Sequence, residues 1–316
     1  MLGDGEFHSG AALARHFNVS RGTIWQALRD LQDSGLEIFA VRGKGYRLSE
    51  PLSWLDPARV RTLLDSKANF IHIDFPELTE STNTLLAQKA ALGAAHGSCV
   101  VTECQMHGRG RRGRAWFSGL GGGLTFSLLW RFERGVGVLS GLSLAVSVAV
   151  ARALRSLGAR RIALKWPNDV ISDFHKLAGI LVEIQGDISG PCSAIIGIGI
   201  NYKIHTRIRE KIDQAVTDID ALAQPLPDKS KVLAQTLNSL VAVLSEFEKS
   251  GFAGFREEWL RYHAYQNKWV CLSFANNTEH KGRVTDVAED GSLVLQTDAG
   301  LQRYNSGEIS LRALKE

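Results

Sequence analysis

The chain has 316 residues, 44% hydrophobic and 22% charged, and 37 lysines and arginines against 33 acidic residues leave a net charge of +4. That length allows two or three domains of ordinary globular composition, and so modest a charge is no argument by itself for nucleic acid. No apolar run is long enough to span a bilayer, and the start, Met1 to Glu6, lacks the basic and apolar regions of a signal peptide, so the expected compartment is the cytoplasm.

The four cysteines, Cys99, Cys104, Cys192 and Cys271, form no C-x-x-C pair and read as free thiols in a reducing compartment. His96, Cys99, Cys104 and His107 have zinc-like spacing. However, Cys99 and Cys104 lie five apart on an expected strand and so point to opposite faces.

Residues 9 to 50 read as a winged helix-turn-helix. Ser9 caps a helix from Gly10 to Phe17, and Ser20 caps a second from Arg21 to Ser34 that Gly35 ends. Ile24, Leu28 and Leu31 make the inward stripe of the second helix. Ser20, Arg21, Gly22, Thr23, Gln26 and Arg29 are left for DNA, and Lys44 sits at the tip of a hairpin wing. Residues 1 to 50 hold six basic and six acidic side chains, so DNA attraction must come from placement and dimerisation rather than bulk charge.

Glu50-Pro51-Leu52-Ser53 reads as a boundary, and Asp56 to Leu64 as a linker helix. An apolar strand, Phe70 to Phe75, precedes Glu80-Ser81-Thr82-Asn83 and a helix. Ser81-Thr82 serves either as an N-cap or as a set of donors for a polar, uncharged ligand group.

A strand from Ser98 to Thr102 leads into Gln105 to Ser118, where Gly108 to Arg114 packs three glycines and four arginines into seven residues. Glycines let backbone N–H groups approach a ligand, and arginines offer planar forks to phosphate or carboxylate. The expectation is a mobile loop ordered by an anion. The run also spells G-x-G-x-x-G, but no helix follows it, as a dinucleotide fold requires.

Gly123 to Phe132 alternates as a strand, and Val138 to Leu157 is an apolar core helix. Lys165-Trp166-Pro167-Asn168-Asp169 ends a strand in a turn, a usual place for site residues. The strand from Lys176 to Glu183 has A-I-I-G-I-G-I-N, Ala194 to Asn201, as its expected antiparallel partner. Gly197 and Gly199 weaken that strand unless a flat ligand must lie on it. Ile204 to Tyr265 is helical apart from a loop at Pro225 to Asp228, and Lys268 to Arg312 is a run of short strands expected to form a small β-barrel.

No Ser-His-Asp grouping, HExxH or Walker lysine is present. A basic glycine loop with one lysine on a sheet suits activation of a carboxylate by ATP. That step brings two anions together and needs fixed positive charge, usually with Mg2+, and exclusion of water from a mixed anhydride.

The motifs G-R-G-R-R-G-R, K-W-P-N-D, K-L-A-G-I-L-V-E and G-I-G-I-N, in this order, resemble the biotin–protein ligases. With the winged helix in front, the chain is similar from Gly5 onward to the bifunctional bacterial type that also represses the biotin operon. The resemblance implies an α+β chain: a winged helix-turn-helix (1–52), a mixed-sheet α/β ligase domain (53–267) and an SH3-like β-barrel (268–316). It implies formation of biotinyl-5′-AMP from biotin and ATP. Biotin then passes to a lysine of the biotin carboxyl carrier protein of acetyl-CoA carboxylase. It also implies a homodimer of the adenylate-bound form on the operator DNA of biotin synthesis genes.

Carried over by position, Lys176 and Arg111 are the catalytic pair. Ser81, Thr82, Asn83, Gln105, Arg109, Gly110 and Gly179 join them around biotin. Gly108, Arg112, Arg114, Trp116, Lys165, Asp169 and Asn201 fall to ATP and the adenylate. ATP arrives with Mg2+ on its phosphates, Asp169 serving the ion or positioning; no protein metal site, tightly bound prosthetic group or membrane partner is expected. Two alternatives use the same residues: a biotin-sensing transcription factor without catalysis, and a lipoate-type acyl ligase. The intact basic loop and Lys176 argue against the first, and K-W-P-N-D with the winged helix against the second.

Overall fold

The computed structural model describes residues 1–117, 119–186, 190–274, 276–305 and 309–313. Near the N-terminus, α1 (Gly10–His16) and α2 (Arg21–Asp33) start where Ser9 and Ser20 accept backbone N–H bonds from Ala12 at 3.1 Å and Thr23 at 3.0 Å. The wing is a hairpin of β1 (Ile38–Val41) and β2 (Gly45–Leu48). Leu13, Ile24, Leu28, Leu36, Ile38 and Leu48 form a small core of their own. A single 3-10 turn, Leu2–Asp4, stands before α1, with Leu2 packed on that core.

The linker helix α3 (Pro57–Leu63) carries proline at its first turn and an Asp56 cap. Next come β3 (His72–Asp74), β4 (Leu78–Thr79), α4 (Thr82–Ala91), β5 (Ser98–Thr102), β6 (Cys104–Gln105) and β7 (Gly123–Phe132). The strand at 70–75 is thus shorter than expected. The core helix α5 (Leu142–Ser156) also begins late, because Val136–Leu139 folds as a separate 3-10 turn. After it lie β8 (Ile162–Lys165), β9 (Asp169–Ser172), β10 (His175–Gly186) and β11 (Cys192–Asn201). The helices α6 (Thr206–Arg209), α7 (Ile219–Leu222), α8 (Lys229–Ser250) and α9 (Arg256–Tyr262) complete the middle of the chain.

Seven strands form one mixed sheet in the order β3-β5-β7-β11-β10-β9-β8, parallel only between β3 and β5. Period-two alternation assigns its faces. Leu124, Phe126, Leu128, Trp130 and Phe132 of β7, with Ala194, Ile196, Ile198 and Ile200 of β11, point into the large core under α5 and α8. The residues between them, Thr125, Ser127, Gly197, Gly199 and Asn201, therefore face the other way, toward α4.

The C-terminal strands β12 (Trp269–Phe274), β13 (Glu279–Val287), β14 (Leu293–Thr297), β15 (Gly300–Tyr304) and β16 (Ile309–Ala313) make an antiparallel sheet in the order β15-β14-β13-β12-β16. Val270, Leu272, Val284 and Leu295 belong to the same apolar cluster as the mixed sheet. The C-terminal unit is thus welded to the middle of the chain, whereas the helix-turn-helix has its own core.

His96, Cys99, Cys104 and His107 do not converge. Cys99 is buried in the core, His96 packs on Phe70 and Trp130, and His107 pairs with Glu80. Among the described residues no cluster of three or more such ligands could hold a metal, and no helix is long and apolar enough to cross a membrane.

At the seam before β12, His263 is buried against Trp259, with Nε2 unpartnered, and burial pushes its pKa down to about 4 from the ordinary 6.5. The folded state holds it neutral, so the stabilisation is complete above pH 6.5 and is lost as pH falls through 4. The full effect is on the order of 3 kcal/mol. His263→Phe keeps a ring on Trp259 and removes the titration. Its urea midpoint is expected to fall less than the parent's between pH 7 and pH 4; equal falls would reject this account.

Candidate active site

A cavity of about 620 Å³ opens on the α4 face of the mixed sheet. Its floor is the backbone of β10 and β11, where Gly179 pairs with Gly199 and Leu181 with Gly197. The three glycines keep that floor low. A Cβ on Gly199 would overlap the Trp116 ring, and one on Gly197 would overlap the Asn83 amide. The flat group lying on the sheet is thus the protein's own Trp116, whose buried Nε1 has no partner.

Lys176 reaches the cavity through a bulge, since the pairing of β10 with β9 shifts between Lys176 and Ala178. Its backbone is clamped: Ala215 O accepts from Lys176 N at 2.9 Å, and Asn201 Nδ2 donates to Lys176 O at 3.0 Å. Nζ lies 2.8 Å from Asp169 Oδ1, a charge contact whose angles fall short of a hydrogen bond, and 5.6 Å from the Trp116 ring centre. Lys165 stands nearby. Burial holds its pKa below the ordinary lysine range; Lys176, Arg114 and Arg312 add to the depression, and Asp169 opposes it. Burial likewise lowers Arg111, with Asp169 partly compensating. Such crowding of cations is relieved when an anion enters.

The basic loop is a small hairpin. Gly110 N donates to Arg114 O at 2.7 Å and Trp116 N to Gly108 O at 2.8 Å, while Arg112 (φ 58°) and Gly113 (φ 68°) turn the tip. Arg109 pairs with Glu183 at 3.3 Å, Arg111 donates to Asn168 Oδ1 at 3.4 Å, and Arg112 donates to Ser273 O and Phe274 O at 3.3 Å. The loop expected to be ordered by an anion is thus seen folded on acceptors of the protein itself. Guanidinium forks find a carboxylate on β10, an amide in the turn before β9 and carbonyls on β12.

At the opposite wall Ser81, Thr82 and Asn83 are buried at the start of α4, and Gln105 Oε1 accepts from Thr82 N at 2.8 Å. Ser81 is the N-cap, but its hydroxyl makes no capping bond.

Most of the expected ligand residues line this cavity: Ser81, Thr82, Asn83, Gln105, Arg109, Gly110, Arg111, Arg112, Arg114, Trp116, Lys165, Asp169, Lys176 and Gly179. Gly108 and Asn201 do not. Gly108 stacks its backbone on Trp116, and the Asn201 amide is occupied by Lys176 O and Thr217 O. Asn168, expected at a strand end suited to site residues but given no role, also lines the cavity, whereas sequence reasoning missed the stretch 211–214 and Arg312, which line it, and Glu183, which stands behind it. Glu183 shares the face of Gly179 and Leu181 by period two, so alternation was its signal. Arg312 comes from the far end of the chain, and no local pattern announces it.

On the helix-turn-helix, Ser20 is occupied in capping, Gln26 Nε2 donates to Asp30 at 2.8 Å, and Arg29 lies 4.8 Å from the centre of the exposed Trp25 ring. The C-terminal end of α2 is held by the middle domain: Arg207 donates to Gln32 O and Lys211 to Asp33 O.

A cation-lined, sheet-floored cavity behind a helix-turn-helix defines a class, a carboxylate-activating ligase joined to a DNA-binding module. Residues 75–201 match the Biotin/lipoate A/B protein ligase family, residues 1–47 an HTH domain, and residues 275–312 the biotin protein ligase C-terminal domain. The chain is 35% identical to the bifunctional ligase/repressor BirA of Salmonella typhimurium over 99% of its length and 96% of that relative. It is 34% identical to the protein of that name from Escherichia coli, over 100% of this chain and 96% of that one. It is also similar to the biotin protein ligase from Aquifex aeolicus in complex with biotin and ATP, with a TM-score of 0.68 and 29% identity, covering 78% of this chain and all of that one. The chain belongs to the family of bifunctional biotin ligase/repressors.

Proposed function

We propose that the chain joins biotin to ATP as biotinyl-5′-AMP, releasing pyrophosphate, and transfers biotin to a lysine of the biotin carboxyl carrier protein of acetyl-CoA carboxylase. The supporting observation is the placement of Lys176, with Asp169 at 2.8 Å, between the polar wall at Ser81–Asn83 and the arginine hairpin. In the first step a biotin carboxylate oxygen attacks the α-phosphorus and pyrophosphate leaves. Lys176, Arg111 and Lys165 offset the gathering negative charge. In the second the carrier amine attacks the acyl carbon and AMP leaves, while the hairpin and Trp116 keep water out. Mg2+ carried on the nucleotide phosphates would help neutralise their charge. Asp169 and Asp213, which both line the cavity, would be its protein donors, too few for a cage of its own.

The same chain acts as a cytoplasmic repressor of biotin synthesis genes, with biotinyl-5′-AMP as corepressor. The helix α2 carries Arg21, Gly22, Thr23, Gln26 and Arg29, and the turn of the wing carries Lys44. A homodimer fits the open edge of β10. Residues 181–186 pair with β11 on one side, and no strand among the described residues pairs with them on the other. The domain division 1–52, 53–267 and 268–316 goes with this reading.

Labelled biotin and an acceptor domain, incubated with and without ATP, test the proposal. Protein-bound label that depends on ATP is the expected result. Label retained without transfer points to a sensor, and preference for lipoate to the related acyl ligase.

A further inference from the structure

Three buried side chains connect the cavity wall to a carboxylate that does not line it. Asn83 Nδ2 donates to Glu183 Oε2 at 2.7 Å and, less closely, to Leu181 O at 3.3 Å. Asn83 Oδ1 is 2.5 Å from Ser127 Oγ, and Ser127 Oγ is 2.7 Å from Thr82 Oγ1. Thr82 Oγ1 in turn lies 3.1 Å from Gln105 Oε1, which already accepts from Thr82 N. Thr82, Asn83 and Ser127 are all at least nine-tenths buried, so bulk water does not set their orientation.

The direction of the chain follows from donor inventory. An ionised carboxylate only accepts, so the Asn83 amide must turn its NH2 to Glu183 and its oxygen to Ser127. That oxygen can only accept, so the single Ser127 proton goes to it. Ser127 is then an acceptor toward Thr82, and the short contact there takes the Thr82 proton. Thr82 then has no proton for Gln105 Oε1 at 3.1 Å or for the cavity, and its oxygen can only accept there. Gln105 Nε2 and Ser81 Oγ, which line the cavity and have no hydrogen-bond partner among the described residues, remain as donors beside it.

We propose that Glu183 is a positioning and specificity residue: through Asn83 and Ser127 it fixes Thr82 as a hydrogen-bond acceptor for a ring N–H of the substrate. This rests on the ligase reading above. The wall it prepares offers both kinds of partner that a cyclic urea needs: Thr82 Oγ1 as acceptor for a ring N–H, and Ser81 Oγ or Gln105 Nε2 as donor to the carbonyl oxygen. It offers nothing to a dithiolane, which has neither. The same carboxylate holds Arg109 at 3.3 Å, so its charge and its acceptor role must be tested separately.

Two variants separate them. Glu183→Gln loses the charge but keeps an acceptor for Asn83; Glu183→Ala loses both. Biotin transfer to an acceptor domain is measured for each, with KM for biotin and for ATP and kcat. Glu183→Ala is expected to raise the biotin KM about tenfold or more. Its kcat and ATP KM stay near the parent's, and its preference for biotin over lipoate narrows. Glu183→Gln is expected to stay within about threefold of the parent. Ser127→Ala breaks the relay from the other side and should repeat the KM signature if Glu183→Ala folds poorly. A parental biotin KM in Glu183→Ala and Ser127→Ala overturns the proposal. So does a Gln variant as impaired as the Ala variant, which assigns Glu183 to Arg109 instead. A parent unable to transfer biotin at all overturns the ligase reading, and is seen before any variant is compared.

Discussion

Lys176→Ala is expected to lower the rate of adenylate formation by on the order of a thousandfold while the protein stays folded. Lys176 brings its cation to the cavity through a bulge whose backbone is clamped by Ala215 and Asn201, so its position is set before any ligand arrives. Joining a carboxylate to a triphosphate concentrates negative charge, and a fixed cation needs no reorganisation when that charge develops. The fold should survive because the Lys176 and Asp169 side chains keep 18% and 15% of their exposure, and Asp169 still has Lys165 and Arg111 nearby. Arginine should not restore the rate, since a planar fork does not reproduce a point charge at this bulge. Pyrophosphate release in the presence of biotin measures the step. Parental release by Lys176→Ala would mean that the lysine holds the sheet end together and does no chemistry.

Lys229→Met is expected to cost about 3–5 kcal/mol of stability, the usual result of leaving one half of a buried ion pair. Lys229 has a fully buried side chain at the start of α8. Its Nζ donates to Glu103 at 2.5 Å, to Gly121 O at 3.2 Å and to Ser53 O at 3.3 Å, and lies 5.5 Å from the Tyr202 ring centre. Burial pushes its pKa down, and Glu103 opposes that. The other Glu103 oxygen accepts from Leu55 N at 2.6 Å. One buried cation therefore pins the linker after the winged helix, the end of β5 and the glycine turn before β7. Methionine fills the volume and leaves Glu103 without its counter-ion. A melting temperature lower by on the order of 10 °C is expected. Combining it with Glu103→Gln should recover much of the loss, because the desolvated charge is then gone too. A single variant that melts with the parent would place this pair among those that contribute nothing.

Much was legible because the residues that carry it are local. Ser9 and Ser20 announce helix starts, Gly35 ends α2, and hydrophobic alternation marks β7 and β11 and assigns their faces. The motifs of the arginine hairpin and of Lys176 point to anion chemistry and to the ligase family. Alternation could also have put Ser127 and Glu183 on the cavity side, but a face is not a contact. That Asn83 bridges them depends on α4 lying across Gly197.

The amino-acid sequence by itself determined the helix-turn-helix, the alternating strands and the choice of a cation-rich glycine loop, because caps, period and composition act within a few residues. Only the tertiary structure decided that Trp116 lies on the glycine floor, that Asn201 clamps the Lys176 backbone rather than lining the cavity, and that Arg312 from the last strand faces Lys165. Those outcomes follow from sheet order and from the bulge in β10. They bring together groups far apart in the chain, whose distances come from packing and not from spacing along it.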